Sequence, residues 1–150
     1  MSTTEINVRL LEREDFNSVV EIDKKVFKQD RSEYYEIKFS RALDKKNQIV
    51  VSFVAVEYEK VVGFVMCELS VGEYGVPSNE AFVDTIGIHP DYQNKGIGRL
   101  LLGELVIHLK KAGVEKIETH VDWSDWELVK FLNFNGFKPS TKISLERKIS

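Results

Sequence analysis

The residues best suited to chemistry lie in one segment, Asp84-Thr85-Ile86-Gly87-Ile88-His89-Pro90-Asp91-Tyr92-Gln93-Asn94-Lys95-Gly96-Ile97-Gly98-Arg99. An apolar strand pattern ends at Ile88, a polar turn follows, and Gly96 and Gly98 lead directly into a Leu-rich helical pattern. Glycine lets the backbone bend tightly and lets a ligand approach closely. A helix start leaves N–H groups unpaired and carries partial positive charge, which together make an anion site. Lys95 and Arg99 add full positive charges beside it. A phosphate or pyrophosphate is the ligand that fits this chemistry.

Three phosphate-binding patterns compete for the segment. A P-loop needs Gly, four residues and then Gly-Lys-Ser/Thr, a spacing that does not occur here. A dinucleotide fingerprint needs a third glycine where Leu101 stands, within a repeated strand-helix-strand pattern that the chain lacks. Glu118 lies at a suitable distance downstream, but a single glutamate is weak support. A glycine-containing turn before an ordinary helix accounts for Gly-x-Gly alone equally well.

The third pattern fits better. Gln93-Asn94-Lys95-Gly96-Ile97-Gly98 resembles the Gln/Arg-x-x-Gly-x-Gly/Ala loop of the GNAT-type N-acetyltransferase superfamily, which binds the pyrophosphate of acetyl-CoA at a helix start. The two early helical patterns, the strand ending in His89-Pro90, the Leu-rich helix and Asn135-Gly136-Phe137 are similar to that family in order and spacing. The resemblance implies an α/β (α+β) GNAT fold: a mixed, largely antiparallel sheet flanked by helices, in the order β-α-α-β-β-β-α-β-α-β. It implies acetyl-CoA as co-substrate, with no metal. Gln93 opens the motif, and the backbone N–H groups of Asn94, Lys95, Gly96, Ile97, Gly98 and Arg99 would cradle the pyrophosphate. Ile86, Gly87 and Ile88 would pair with the pantetheine arm as with an added strand, with Gly87 leaving room for its passage. An N–H among them would polarise the thioester carbonyl. Ser124 and Asp125, at the start of the last helix, complete the cofactor side. Asp125 stands where the family often has asparagine.

The implied reaction is acetyl transfer to a primary amine by direct attack in a ternary complex. An alkylammonium with a pKa near 10 is depleted in free amine about a thousandfold at neutral pH, so a base is useful. His120 is the first candidate, because related enzymes carry a glutamate base near this strand end and imidazole titrates in the right range. Asp84 is the second, as base or as anchor for a cationic acceptor; Asp122 and Glu80 rank below it. His89, in a turn, and His108, within a helix, read as structural or solvated. The general acid departs from the family, since Leu132 stands where many members have a proton-donating tyrosine. Water or Ser124 would then supply the proton, or the thiolate, with a thiol pKa near 8.5, leaves unprotonated. Trp123 and Trp126 read as packing or as a wall of the acceptor pocket. The alternative function is a non-catalytic acyl-CoA-binding or regulatory module.

The elements that must position these residues follow from periodicity. Residues 6–10 alternate as an opening strand. After Glu14-Asp15, Val19, Ile22, Val26 and Phe27 share a helical face, and 32–43 carries a second helix through Tyr35, Phe39 and Leu43. Strands follow over 49–57 and 61–70, joined as a hairpin through Tyr58-Glu59-Lys60, with a long loop over 72–79. A strand over 81–88, a helix over 98–111 and a strand over 114–121 come next. Ser124 is the expected N-cap of the last helix, with Glu127 completing a capping box and Gly136 at its end. Residues 141–149 alternate as a closing strand.

Composition bounds the rest. At 150 residues with 43% hydrophobic and 30% charged content, the chain is sized for one globular domain, read as 4–150. A net charge of −3 disfavours general nucleic-acid binding. Cys67 is the only cysteine, which excludes an internal disulfide and cysteine-rich zinc sites; it reads as a buried structural thiol. The start of the sequence lacks the pattern of a signal peptide and no apolar run would span a bilayer, so a cytoplasmic protein is expected. The resemblance also admits a homodimer. The acceptor is an amine-bearing small molecule or protein. The acidic lean of Asp30, Glu33, Glu73 and Glu80, in loops that border the family's acceptor site, suits a cationic one.

Overall fold

The computed structural model describes residues 5–43, 51–69 and 80–150. It divides into two compact units, Met1–His120 and Val121–Ser150.

The first unit is built on a sheet in the order β1 (Asn7–Leu10), β2 (Phe53–Glu57), β3 (Lys60–Leu69), β4 (Glu80–Ile88) and β5 (Lys116–Thr119). Neighbours are antiparallel except β4 and β5, which run parallel. Spatial order follows chain order because β2 and β3 form the expected hairpin, whose Tyr58 and Glu59 both take positive φ (48° and 64°). Two antiparallel pairs contain bulges. Between β2 and β3 the register jumps at Ala55/Val56, leaving Val62 unpaired on β3; between β3 and β4 it jumps at Met66/Cys67, leaving Asp84 unpaired on β4. A bulge changes which face the following side chains point to.

Helices α1 (Phe16–Phe27) and α2 (Ser32–Ala42) cover one face of the sheet. Val19, Ile22, Tyr35 and Phe39 from these helices pack with Leu11, Val54, Phe64 and Met66. The i, i+3 and i, i+4 spacing read from the sequence is therefore the buried stripe. Phe27 is the exception: it is 41% exposed and lies under the Arg31 guanidinium, 4.6 Å from its ring centroid. α3 (Ile97–Lys111) buries Leu101, Leu105 and Leu109, while Ile107 is half exposed. Cys67 is buried as expected, and burial, followed by the charges of Asp84 and Glu68, pushes its thiol up to about 12.

The second unit contains α4 (Trp126–Phe134). Its N-cap is Asp125, whose carboxylate accepts from the Leu128 N–H at 3.2 Å, and not Ser124 as expected. Ser124 is already committed, since its hydroxyl and N–H both donate to Asp122 Oδ1, at 2.6 and 2.9 Å. Gly136 (φ 95°) ends the helix, with Phe137 N–H returning to the Leu132 carbonyl at 3.0 Å.

Two further expectations change. β5 is shorter than the 114–121 read from the pattern. Among the described residues no strand forms over 141–149, where Ile143, Leu145 and Ile149 are 82, 85 and 95% exposed. Alternation determines which side chains would share a face; a strand also needs a partner for its backbone groups, and that is a tertiary property. The loop read at 72–79, residues 49 and 50, Ser70 and with them Glu73 lie outside the described residues.

Candidate active site

The site begins where two strands part. The β4–β5 ladder pairs Glu80 with Lys116 through Val83 with Thr119 and then stops. Thr119 Oγ1 donates to the Val83 carbonyl at 2.9 Å, closing the last rung. The next residues on the two strands are Asp84 and His120, the two candidate bases. Beyond Val83, β4 keeps β3 on one side only, so among the described residues the opposite edge of 84–88 has no strand partner. An unpaired edge is a template for an extended ligand. Ile86, Gly87 and Ile88 lie on it.

Gly87 is placed there for a different reason from the one expected. A Cβ at this position would meet the Phe64 ring in the core, and residue 87 is buried. The glycine makes room for Phe64, not for a ligand arm.

The edge leads into the loop. His89 caps a short 3₁₀ turn (Pro90–Tyr92), its Nδ1 accepting from the Asp91 N–H at 3.1 Å, while its own N–H donates to the Val62 carbonyl at 2.9 Å. It is buried, and burial, then the charges of Lys25 and Lys60, push the imidazole below its ordinary range. Gln93 donates from Nε2 to the Ile88 carbonyl at 3.2 Å, tying the loop to the end of β4; its side chain serves the loop's shape. Asn94 (φ 63°) and Gly96 (φ 82°) both take the left-handed conformation. Asparagine tolerates it better than most residues and glycine adopts it freely.

Gly96 is also the N-cap of α3, and it has no side chain with which to satisfy the helix. The first helical bond runs from Leu100 N–H to the Gly96 carbonyl at 3.1 Å, so the N–H groups of Ile97, Gly98 and Arg99 precede the ladder. A Cβ built on Gly96 would find nothing within 4 Å, so the space beside the N-cap is open. Lys95 and Lys60 both reach the Tyr92 ring, at 5.2 and 5.5 Å from its centroid, and Arg99 is exposed on the first turn. Uncapped N–H groups, a helix dipole and clustered cations form a donor set matched to a diphosphate.

Gly63 was not singled out from the sequence. A Cβ there would lie 3.0 Å from Ile88 Cδ1, 3.1 Å from Ile97 Cγ2 and 3.3 Å from Leu101 Cδ1. Its absence lets the first turn of α3 press onto β3 and β4, which places the loop. A glycine inside a strand pattern is a recognisable sign of such close approach.

Asp84 and His120 sit in different surroundings. Asp84 has an 11% exposed side chain, and its Oδ1 meets Lys38 Nζ at 3.1 Å. Its Oδ2 is buried and has no hydrogen-bond partner among the described residues. Burial raises its pKa; Lys38 opposes that rise and Glu68 adds to it. His120 is exposed, with its ring against Phe82 at 4.8 Å between centroids. Ser124 and Asp125 belong to the second unit and make the local contacts described above. Asp122, with them, has its carboxyl pulled below the usual range by the Ser124 hydrogen bonds. Leu132 is buried at 6% exposure, an apolar residue with no proton to give. Glu80 is paired with Lys116 at 3.1 Å, and His108 packs against the Phe53 ring at 4.7 Å.

Known proteins are similar to this chain in sequence or in fold. A mycothiol acetyltransferase from Propionibacterium freudenreichii is 34% identical over 77 residues, which is 51% of this chain and 24% of that protein. A ribosomal protein bS18-alanine N-acetyltransferase from Haemophilus influenzae is 29% identical over 79 residues, 53% of this chain and 49% of the relative. The chain thus matches about half, or less, of the length of these curated relatives. Among solved structures, the ribosomal-protein-S18-alanine N-acetyltransferase from Escherichia coli superposes with a TM-score of 0.74 at 23% identity, covering 91% of this chain and 80% of that one. An aminoglycoside N-acetyltransferase in complex with CoA superposes at 0.78 with 13% identity, covering 99 and 98%. These superpositions bear out the expected GNAT fold. Residues 13–137 match the acetyltransferase (GNAT) family, and the chain belongs to that family.

Proposed function

We propose that this protein is an acetyl-CoA-dependent N-acetyltransferase that acetylates a primary amine by direct attack in a ternary complex. The observation that carries this reading is the continuous path from the free β4 edge at 84–88 to the uncapped start of α3. The relatives named for alanine, mycothiol and aminoglycoside acetylation support an amine acceptor, small molecule or protein, without selecting one.

The residues take the following roles. Backbone N–H groups from Asn94 to Arg99 hold the diphosphate, with Lys95 and Arg99 adding charge. The backbone of Ile86–Ile88 pairs with the pantetheine arm, and an N–H there stabilises the developing oxyanion. Bound acetyl-CoA supplies the activated acyl carbon: the amine nitrogen forms the new C–N bond, the C–S bond breaks, and the thiolate leaves. Asp84 accepts the ammonium proton through its unpartnered Oδ2, or anchors the cation. His120, one residue past the last rung of β5, is the alternative base. Buried Cys67, its thiol held at about 12, is unsuited to an acyl-enzyme step, which favours direct attack. Water protonates the thiolate, or it leaves unprotonated. Leu132, in place of a tyrosine acid, favours one second reading, a non-catalytic acyl-CoA-binding module.

The reading includes a single domain over 4–150, a cytoplasmic location and a homodimer; among the described residues no helix is long and apolar enough to cross a membrane. The test is a panel of amines, including an alanine-terminated peptide and aminoglycosides, assayed with wild type, Asp84→Asn and His120→Ala. Acetylated product is expected from wild type, with kcat reduced at least tenfold in Asp84→Asn. Full kcat in both variants would exclude both residues as bases.

A further inference from the structure

We propose that Lys38 is a positioning residue for the transfer reaction: it holds the Asp84 carboxylate ionised and oriented, with Oδ2 left to take an N–H of the incoming amine. This inference rests on the reading of Asp84 as the acceptor-side carboxylate.

α2 lays one polar ridge across the bulge in β4. Tyr34, Lys38 and Arg41 are spaced i, i+4 and i+7, so they share a helix face. Tyr34 Oη lies 3.5 Å from Thr85 Oγ1, Lys38 Nζ lies 3.1 Å from Asp84 Oδ1 and 3.6 Å from Glu68 Oε1, and Arg41 reaches Glu68 at 3.8 Å. The Lys38 ammonium also lies 5.6 Å from the Tyr34 ring centroid, and its side chain is only 13% exposed. The bulge is what brings Asp84 here, because it falls between the paired residues Val83 and Thr85.

A pair that served only to tie helix to sheet would be expected to satisfy both carboxylate oxygens, because a buried acceptor left unmatched costs about 1–3 kcal/mol. Among the described residues, Oδ1 is matched and Oδ2 is buried without a hydrogen-bond donor, as is Glu68 Oε1 beside the same lysine. The missing partner is an N–H or O–H group. It belongs next to the point where β4 and β5 separate, which is where an acceptor amine must arrive. Lys38 Nζ is within hydrogen-bond distance of Oδ1 and makes a longer contact, 3.6 Å, with Glu68 Oε1.

The charged groups acting on Asp84 are Lys38 and Arg41 from α2 and Glu68 from β3, with Tyr34 and Cys67 alongside. Lys38 and Arg41 favour the carboxylate; burial and Glu68 oppose it. Removing Lys38 leaves burial and Glu68 opposed only by the more distant Arg41, so the Asp84 pKa must rise. Removing the Glu68 charge takes away a repulsion and must lower it.

The test is a carboxyl-carbon NMR titration of protein labelled at aspartate, the Asp84 signal being identified by its loss in Asp84→Asn. It is read beside the pH profile of kcat/KM for the amine that turns over fastest. Lys38→Met should move both the Asp84 titration and the acid limb of kcat/KM up by about one pH unit, a tenfold loss on the acid side. Lys38→Arg should restore both. Glu68→Gln should move both downward, and Glu68, partly exposed, can be tested even if Lys38→Met does not fold. Unchanged titrations in the Lys38→Met and Glu68→Gln proteins that fold overturn the proposal. If Asp84→Asn keeps full kcat, the reading of Asp84 fails and this inference with it. If Asp84→Asn is impaired while Lys38→Met titrates like wild type, only the role of Lys38 fails.

Discussion

The ring of Phe64 occupies the space that a side chain at residue 87 would need: a Cβ there would lie 2.6 Å from Phe64 Cε1 and 2.9 Å from Cζ. Phe64 pairs with Gly87 across β3 and β4 and is fully buried in the core beneath α1 and α2. Gly87→Ala should therefore destabilise the fold by about 1–3 kcal/mol through overpacking. Gly87→Ala combined with Phe64→Leu should recover part of that loss. Urea denaturation of the two proteins measures both, and a Gly87→Ala protein as stable as wild type contradicts the packing role.

Gly96 presents the opposite case. Its surroundings are open, so a substitution is strained only by its φ of 82°. Gly96→Ala should cost about 1 kcal/mol of stability or less, and Gly96→Val more. Both should raise the KM for acetyl-CoA, because a shifted loop no longer aims its N–H groups at one point. Steady-state kinetics at varied acetyl-CoA checks this; an unchanged KM in Gly96→Val separates the loop from cofactor binding.

His89 links the loop to pH. Its imidazole is 7% exposed, and burial with Lys25 and Lys60 keeps it below its ordinary value of 6.5. Between 6.5 and that lower value the unfolded chain binds more protons than the folded one, so stability rises with pH across this window. The contribution is intact above 6.5 and is lost as pH falls toward the folded value. His89→Asn, which keeps an acceptor for the Asp91 N–H, should flatten this slope. Melting temperatures across pH 4 to 8 (about four units, spanning the usual histidine range) provide the comparison.

The connection between α1 and α2 is held by a buried charge. Asp23 is 1% exposed and accepts from Arg31 Nε at 2.8 Å and from the Tyr35 hydroxyl at 2.6 Å. The Arg31 guanidinium stays above its ordinary pKa beside Asp23, and burial raises the Tyr35 phenol. Arg31→Met leaves that carboxylate without its counter-ion and should cost about 3 kcal/mol. Asp23→Asn added to Arg31→Met should restore part of it, because the orphaned charge is gone. Chemical denaturation of the single and double variants decides the matter.

How much of this could be read from the sequence differs residue by residue. The turn at Gly96 and the helix after it were legible because the glycines, cations and helix start are contiguous in the sequence. The stripes of α1 and α2 were legible because 3.6-residue spacing is local too. The setting of Asp84 was only half visible. Its carboxylate could be named, but its bulge is a register shift between two strands, and Lys38 and Glu68 come from distant parts of the chain. Gly87 was correctly marked as a site of close approach, with the wrong approaching group. The expected strand over 141–149 failed because alternation carries no information about a free edge. Ser124 lost the cap of α4 to Asp125 because Asp122 had already bound its hydroxyl.

The most direct test of the central claim is the rate of CoA thiol release from saturating acetyl-CoA as primary amines are added one at a time. Transfer through the β4 edge and the Gly96 loop predicts release that depends on amine, with product acetylated at nitrogen, and a raised KM for acetyl-CoA in Gly96→Val. Tight CoA binding with no amine-dependent release from any member of the panel contradicts it and identifies a binding module instead.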